Sequence, residues 1–145
     1  MSGTGAVVVV AALVLTGVAA WWLRARSGAV REAGVTMSPA FARLGVRPGE
    51  ADLTVVQFST AFCGPCRATK ARLAQLQATR PGLAVVQVDA ESHLDEVREL
   101  DVRRTPTLFY LGRDGRLIGR SSGAPRPDEL TTFVDAHGGR RVGGP

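Results

Sequence analysis

The chain has 145 residues, enough for one domain of ordinary size plus an extension. Its composition, 45% hydrophobic and 21% charged, is ordinary for a globular protein. A net charge of +5 raises nucleic acid as a partner, but residues 51–139 hold 11 Lys+Arg against 11 Asp+Glu and the excess lies in the flanks, so the concentrated basic face that phosphate binding needs is missing and no nucleic acid is expected.

The first predicted element is GAVVVVAALVLTGVAAWWL, residues 5–23, a run of 19 residues without a charge. As a helix it is about 28 Å long, close to the hydrocarbon thickness of a bilayer. Trp21 and Trp22 close the run and Arg24 and Arg26 follow. Indoles at headgroup depth followed by snorkelling cations make a membrane boundary. A buried core helix would show a polar face and a shorter run. A cleaved signal peptide is the stronger rival, with VAA at 18–20 as its cutting site, but no Lys or Arg precedes the run, which is long for a secretion signal. Residues 1–26 are read as a retained transmembrane anchor that meets the lipid bilayer through residues 5–23. Because Arg24, Arg26 and Arg31 follow the span and no cation precedes it, the positive-inside rule puts the rest of this single-pass cell-membrane protein on the cytoplasmic side, the extracytoplasmic side being the alternative. Attachment of the basic flank to anionic lipid without a span fits the uninterrupted run less well.

Residues 27–50 read as a linker running into the domain edge, broken by Gly28, Gly34, Gly45, Pro48 and Gly49. A short helix is expected within 38–46, capped by Ser38 with Pro39 at its first position. The domain proper is placed at 51–138. LTVVQF (53–58) has the β-branched, apolar composition of a strand buried on both faces. A helix over 64–80 carries Ala68, Ala71, Leu73 and Leu76 on its apolar side and stops at Pro81-Gly82. LAVVQV (83–88) is a second buried strand, and Ser92 with Asp95 forms a capping-box pattern ahead of Leu94, Val97 and Leu100. TLFYL (107–111), a turn over Gly112–Gly115 and RLIGR (116–120) make a hairpin. Pro127 opens a last helix with Leu130, Phe133 and Val134, which Gly138 closes, and residues 139–145 read as a disordered tail. The first strand–helix–strand unit makes a parallel pair with a right-handed crossover, and the hairpin adds an antiparallel edge. The fold class is α/β, a mixed central sheet flanked by helices and preceded by one N-terminal transmembrane helix.

Cys63 and Cys66 are the only cysteines, within FCGPCRATK. As a staple the pair closes a tiny loop and removes little unfolded-state entropy. As a zinc site it lacks a second cysteine pair, and His93 and His137 fall on surface helices far away in sequence, so neither a metal nor a cofactor is expected. Two unrelated buried thiols are a further alternative. The position fits a reactive pair. Cys63 falls between a strand and a helix, where unpaired backbone N–H groups and the positive end of the helix dipole stabilise thiolate. Cys66 lies one turn on, at a spacing from which a small adjustment closes a disulfide. Pro65 suits the first turn, and Gly64 leaves one side of Cys63 open to a large substrate.

Over roughly residues 51–138 the chain resembles the thioredoxin family. The resemblance rests on VVQFSTAFCGPC after a buried strand, RRTPTLFYL about forty residues later, and DGRLIGRSSGA before the last helix. It implies the thioredoxin fold and a thiol–disulfide oxidoreductase, with Cys63 as the nucleophile that attacks a partner's disulfide and Cys66 as the resolving thiol. It also implies that Pro106 is the family's cis-proline opposite the dithiol. Thr105 would offer backbone hydrogen bonds to an extended substrate segment, and Gly123 would lie on the substrate-facing surface. Phe62, Gly64 and Pro65 complete the expected substrate-binding set. Three departures stand out. Phe62 replaces the usual Trp before the first cysteine, Gln57 stands where a buried Asp is usual, and Val85 stands where a Lys often pairs with that Asp. Both charges are gone together, so no buried ion pair is left half broken. Gln cannot carry a proton to or from the resolving thiol, so a slower reduction step at neutral pH is expected.

The function expected is a membrane-tethered reductase of disulfide-containing protein substrates. Its electrons would come from a thioredoxin-reductase-like flavoprotein on a cytoplasmic face, or from a membrane electron carrier on the outer face. The alternative is a non-enzymatic binding module whose cysteines act as a redox switch.

Overall fold

The computed structural model describes residues 3–26, 28, 31–35 and 37–139. Its elements are α1 (Gly3–Arg26), β1 (Arg31–Val35), α2 (Pro39–Arg43), β2 (Leu53–Ser59), α3 (Gly64–Thr79), β3 (Leu83–Asp89), α4 (Leu94–Glu99), β4 (Thr107–Gly112), β5 (Leu117–Ser122) and α5 (Pro127–His137). Of the tail expected at 139–145, all but Gly139 lies outside the described residues.

The strands form one mixed sheet in the order β1-β5-β4-β2-β3. β2 and β3 are parallel, with Leu53 opposite Leu83 and Ser59 opposite Asp89. β4 is antiparallel to both β2 and β5. β2 is buried on both faces, as its composition predicts, and feeds two cores by alternation. Val56 and Phe58 point to one side, where they meet Phe41 of α2, Phe109 of β4 and Leu100 after α4. Leu53 and Val55 point to the other, where they meet Leu73 and Leu76 of α3 and Leu130 and Val134 of α5. The mixed α/β thioredoxin architecture expected from the sequence is the one observed.

Several local details differ from the expectations. β1 lies within the segment read as a linker and pairs antiparallel with β5, Arg31 opposite Arg120. Its sequence, REAGV, carries no strand signal because an edge strand bonded on one side needs no continuous apolar run. α2 forms where expected, with the Ser38 hydroxyl accepting from the Ala40 N–H, and its Ala40 and Phe41 are buried. Arg43 of α2 pairs with Glu96 and Glu99 of α4, and the Ser38 hydroxyl also donates to Glu99. The Arg43 guanidinium holds the Glu96 carboxyl below its ordinary range; for Glu99 the Ser38 hydroxyl does so first and Arg43 second.

The Ser92–Asp95 capping box does not form. His93 is the N-cap of α4 and makes no side-chain cap bond, while the Ser92 hydroxyl donates to the Asp89 carboxylate at 2.6 Å. The buried face of α3 is Cys66, Thr69, Leu73 and Leu76; Ala68 and Ala71 are exposed. Arg80, just past α3, is 4% exposed and pairs with Asp135 of α5 at 2.6 Å.

α1 is a helix over its whole expected length. None of its 21-residue window Gly5–Ala25, of mean hydropathy 2.4, is buried in the protein, so one N-terminal helix is long and apolar enough to cross a membrane.

Candidate active site

β2 ends at Ser59, and the chain turns through Thr60, Ala61 and Phe62 into α3. Cys63 is the N-cap of that helix, with φ −97° and ψ 99°, so its backbone is extended while the next residue is already helical. Gly64 and Pro65 form the first turn, where proline's missing N–H has no helical acceptor to lose. The non-helical step at Cys63 is the small adjustment that closes the pair. Cys63 and Cys66 are disulfide-bonded, with Cα atoms 5.2 Å apart. The Cys66 N–H also points at Cys63 Sγ, 3.2 Å away. In the reduced pair the same amide and the helix dipole face the Cys63 sulfur, a setting that favours its anion. The two sulfurs differ in access: Cys63 is half-buried, whereas Cys66 is 3% exposed. Phe62 is 98% exposed beside them.

The Thr105–Pro106 peptide bond is cis. The hydroxyls of Thr105 and Thr60 lie 3.5 Å apart, which brings this loop against the one that leads to Cys63. The Pro106 carbonyl accepts from the Gly123 N–H at 2.7 Å. Gly123 has φ +99°, a conformation that disfavours any side chain, so glycine permits the loop after β5 to close on the cis-proline. The fold therefore brings Phe62, Cys63, Gly64, Pro65, Cys66, Thr105, Pro106 and Gly123 to one end of the sheet.

Gln57 is fully buried on the α3 side. Its Nε2 donates to the Cys66 carbonyl at 2.9 Å, and its Oε1 accepts from Gln87 Nε2 at 3.2 Å. Val85 is not beside it; Val85 pairs with Val55, and the parallel register puts Gln87 next to Gln57. Gln87 and Thr60 carry no signal that singles them out in the sequence, where Gly28 is legible only as a break in the linker. Gln87 becomes legible only once the thirty-residue offset between β2 and β3 is known. The support beneath Cys66 is thus a neutral amide pair, Gln57 being bonded at both ends of its amide.

Around the corner of α3, Pro65, Ala68, Arg72, Ala124, Pro125 and Leu130 line a cleft of about 200 Å³. Arg72 Nη2 donates to the Thr131 hydroxyl at 2.7 Å, while its buried Nε finds no acceptor. His93 and His137 each face a backbone carbonyl, of Asp89 and Phe133 respectively.

A mixed sheet with a cysteine pair on the first turn of the helix after an inner strand, and a cis-proline loop drawn against it, defines the class of two-cysteine proteins with a thioredoxin fold. The thioredoxin family model matches residues 34–136. Mitochondrial thioredoxin-3 of Saccharomyces cerevisiae is 37% identical over 73 residues, 50% of this chain and 57% of that protein. Thioredoxin H4-1 of Oryza sativa is 32% identical over 52% of this chain and 57% of its own. Thioredoxin of Chlamydia trachomatis is 31% identical over 59% of this chain and 82% of its own. The crystal structure of the oxidised yeast mitochondrial thioredoxin 3 superposes with a TM-score of 0.56 at 28% identity, covering 70% of this chain and 94% of that one. The chain belongs to the thioredoxin family. It spans a little over half the length of the first two of these relatives by sequence.

Proposed function

We propose that this chain is a membrane-tethered thiol–disulfide oxidoreductase that reduces disulfides in partner proteins. What supports the reading is the placement of Cys63: an accessible sulfur at a helix N-cap, aimed at by the Cys66 amide and within bonding reach of a recessed second sulfur. The Cys63 thiolate attacks one sulfur of the partner disulfide, and the other leaves as a thiolate and takes a proton. Cys66, as thiolate, then attacks Cys63 Sγ, breaks the mixed disulfide and releases the second partner thiol. Two electrons pass to the partner, and the chain is left with the Cys63–Cys66 disulfide. A thioredoxin-reductase-like flavoprotein or a membrane electron carrier returns two electrons and two protons.

In this reading Phe62, Gly64 and Pro65 form one wall for the partner segment, and Thr105, Pro106 and Gly123 form the other. Residues 1–26 are the anchor, residues 27–50 join it to the domain, and the domain runs to residue 138. Arg24, Arg26 and Arg31, which follow the apolar run, favour the cytoplasmic side.

Multiple-turnover reduction of insulin with a dithiol donor tests the activity. Turnover should vanish in Cys63→Ser, and Cys66→Ser should accumulate a mixed disulfide with the substrate. The neutral Gln57–Gln87 pair beneath Cys66 favours a second reading, a binding module or redox switch. No multiple turnover, with partner affinity intact in Cys63→Ser, would establish that reading instead.

A further inference from the structure

Strand directions put four features at one end of the sheet. Cys63 lies beyond the C-terminal end of β2, Pro106 just before the start of β4, and Gly123 just after the end of β5. β1 runs antiparallel to β5, so its first residue, Arg31, opposite Arg120, begins at that same end. The polypeptide arriving from α1 therefore enters the domain beside the dithiol, not behind it.

Gly28 fixes this approach. Its N–H donates to the Ser122 carbonyl at 2.7 Å. Its φ is +90°, and a Cβ there would lie 2.2 Å from the Ala124 carbonyl oxygen, so only glycine fits. Gly28 is two residues past Arg26, the end of α1, and two residues reach about 7 Å at most. The end of the apolar helix is thus held next to Ser122–Ala124, and Ala124 lines the same cleft as Pro65 of the tetrad. The surface at this end suits a headgroup layer. Phe62 is almost wholly exposed, and the exposed cations Arg67, Lys70 and Arg104 take part in none of the ion pairs among the described residues.

Resting on the membrane-tethered redox reading above, we propose that the active-site end of the domain faces the bilayer, and that its substrates are disulfides at headgroup level, in segments of integral membrane proteins next to their spans. Short tethering holds Cys63 at the height of such a disulfide and raises its effective concentration there, while a disulfide far from the bilayer gains nothing.

Two readouts test this. The first uses a full-length chain with Trp21→Phe, Trp22→Phe and Phe62→Trp, whose one indole is at position 62, in phosphatidylcholine vesicles with a nitroxide on the headgroup. Most of its emission should be quenched. It should recover when a Gly-Ser spacer of about 20 residues, with an r.m.s. span of about 25 Å, is inserted between Arg26 and Gly28. Emission that is the same with and without nitroxide lipid, or with and without the spacer, overturns the proposed orientation. The second compares reduction of two synthetic transmembrane peptides, one with its disulfide a few residues from the span and one with it about 20 residues away, and of insulin in solution. The near peptide should react about tenfold faster than the far one, and the spacer should abolish that ratio without changing the insulin rate. Equal rates on the two peptides overturn the substrate class. Quenching without reduction of any of the three sinks the redox reading, and the substrate class with it, while the orientation stands.

Discussion

On the side of the sheet covered by α2 and α4, Phe41, Phe58 and Phe109 meet edge to face, with centroids 5.3 and 5.8 Å apart along the trio. On the side covered by α3 and α5, the same β2 strand buries Gln57, Arg80 is buried against Asp135, and the Tyr110 hydroxyl meets that of Ser121 at 3.3 Å. Burial pushes the Tyr110 phenol up, so it stays neutral. Among the described residues, the buried amide and charged side chains are all on the α3 and α5 side. One face centres on an aromatic trio, with the hydroxyls of Thr54 and Thr107 as its buried side-chain polar groups among the described residues; the other places hydrogen-bonding groups under the helix that carries the cysteines. The first can be altered at a cost in stability, whereas changes in the second reach the Cys66 backbone through Gln57.

The strongest way to break this contrast is Phe109→Ala. It removes the middle ring of the trio and should destabilise the protein by about 3–5 kcal/mol in urea unfolding. Insulin reduction per folded molecule should not change; a parallel fall in turnover would show that the aromatic face also shapes the site. Gln57→Asp sharpens the other half. A carboxylate under Cys66 supplies the proton carrier that Gln lacks, so reduction should be several-fold faster near neutral pH, with some loss of stability from burying an acid. Equal rates for the two proteins across pH 6–9 would show that the amide pair does not limit the chemistry. The smallest effect concerns the rim of the aromatic side. Glu96 and Glu99 have folded-state values lowered by Arg43 and Ser38, so their contribution is present above the ordinary glutamate range and is lost as pH falls through the folded values. Between pH 6 and pH 3, the urea midpoint of the wild type should fall more than that of Arg43→Ala, with no difference between the two in reduction rate at pH 7.

The strongly patterned parts of this molecule were legible in the sequence. LTVVQF is too apolar for any place but the sheet interior, and Cys-Gly-Pro-Cys after such a strand fixes where α3 begins. LAVVQV, expected to be buried like it, is instead the edge strand β3 and only partly buried, because strand order and not composition decides which apolar strand lies inside. The apolar run of α1 was equally plain. Other features depend on pairing. REAGV is a strand only because β5 offers it an edge. Ser92 abandons its cap because Asp89, at the end of β3, offers a carboxylate. Alanines at 68 and 71 carry too little hydrophobic weight to set the phase of α3, which Leu73 and Leu76 set instead. Gln87, not Val85, meets Gln57 because register, which single-strand patterns do not encode, decides the neighbour.

With β1 on the β5 edge, the opposite margin of the sheet is β3, and among the described residues no strand pairs with its outer side. Its seven residues, LAVVQVD, present a row of unpaired amides and carbonyls with few polar side chains to deter a visitor. Strand-by-strand self-association would begin there. A lysine introduced along β3, at a position other than Gln87, should therefore help to keep concentrated preparations in solution.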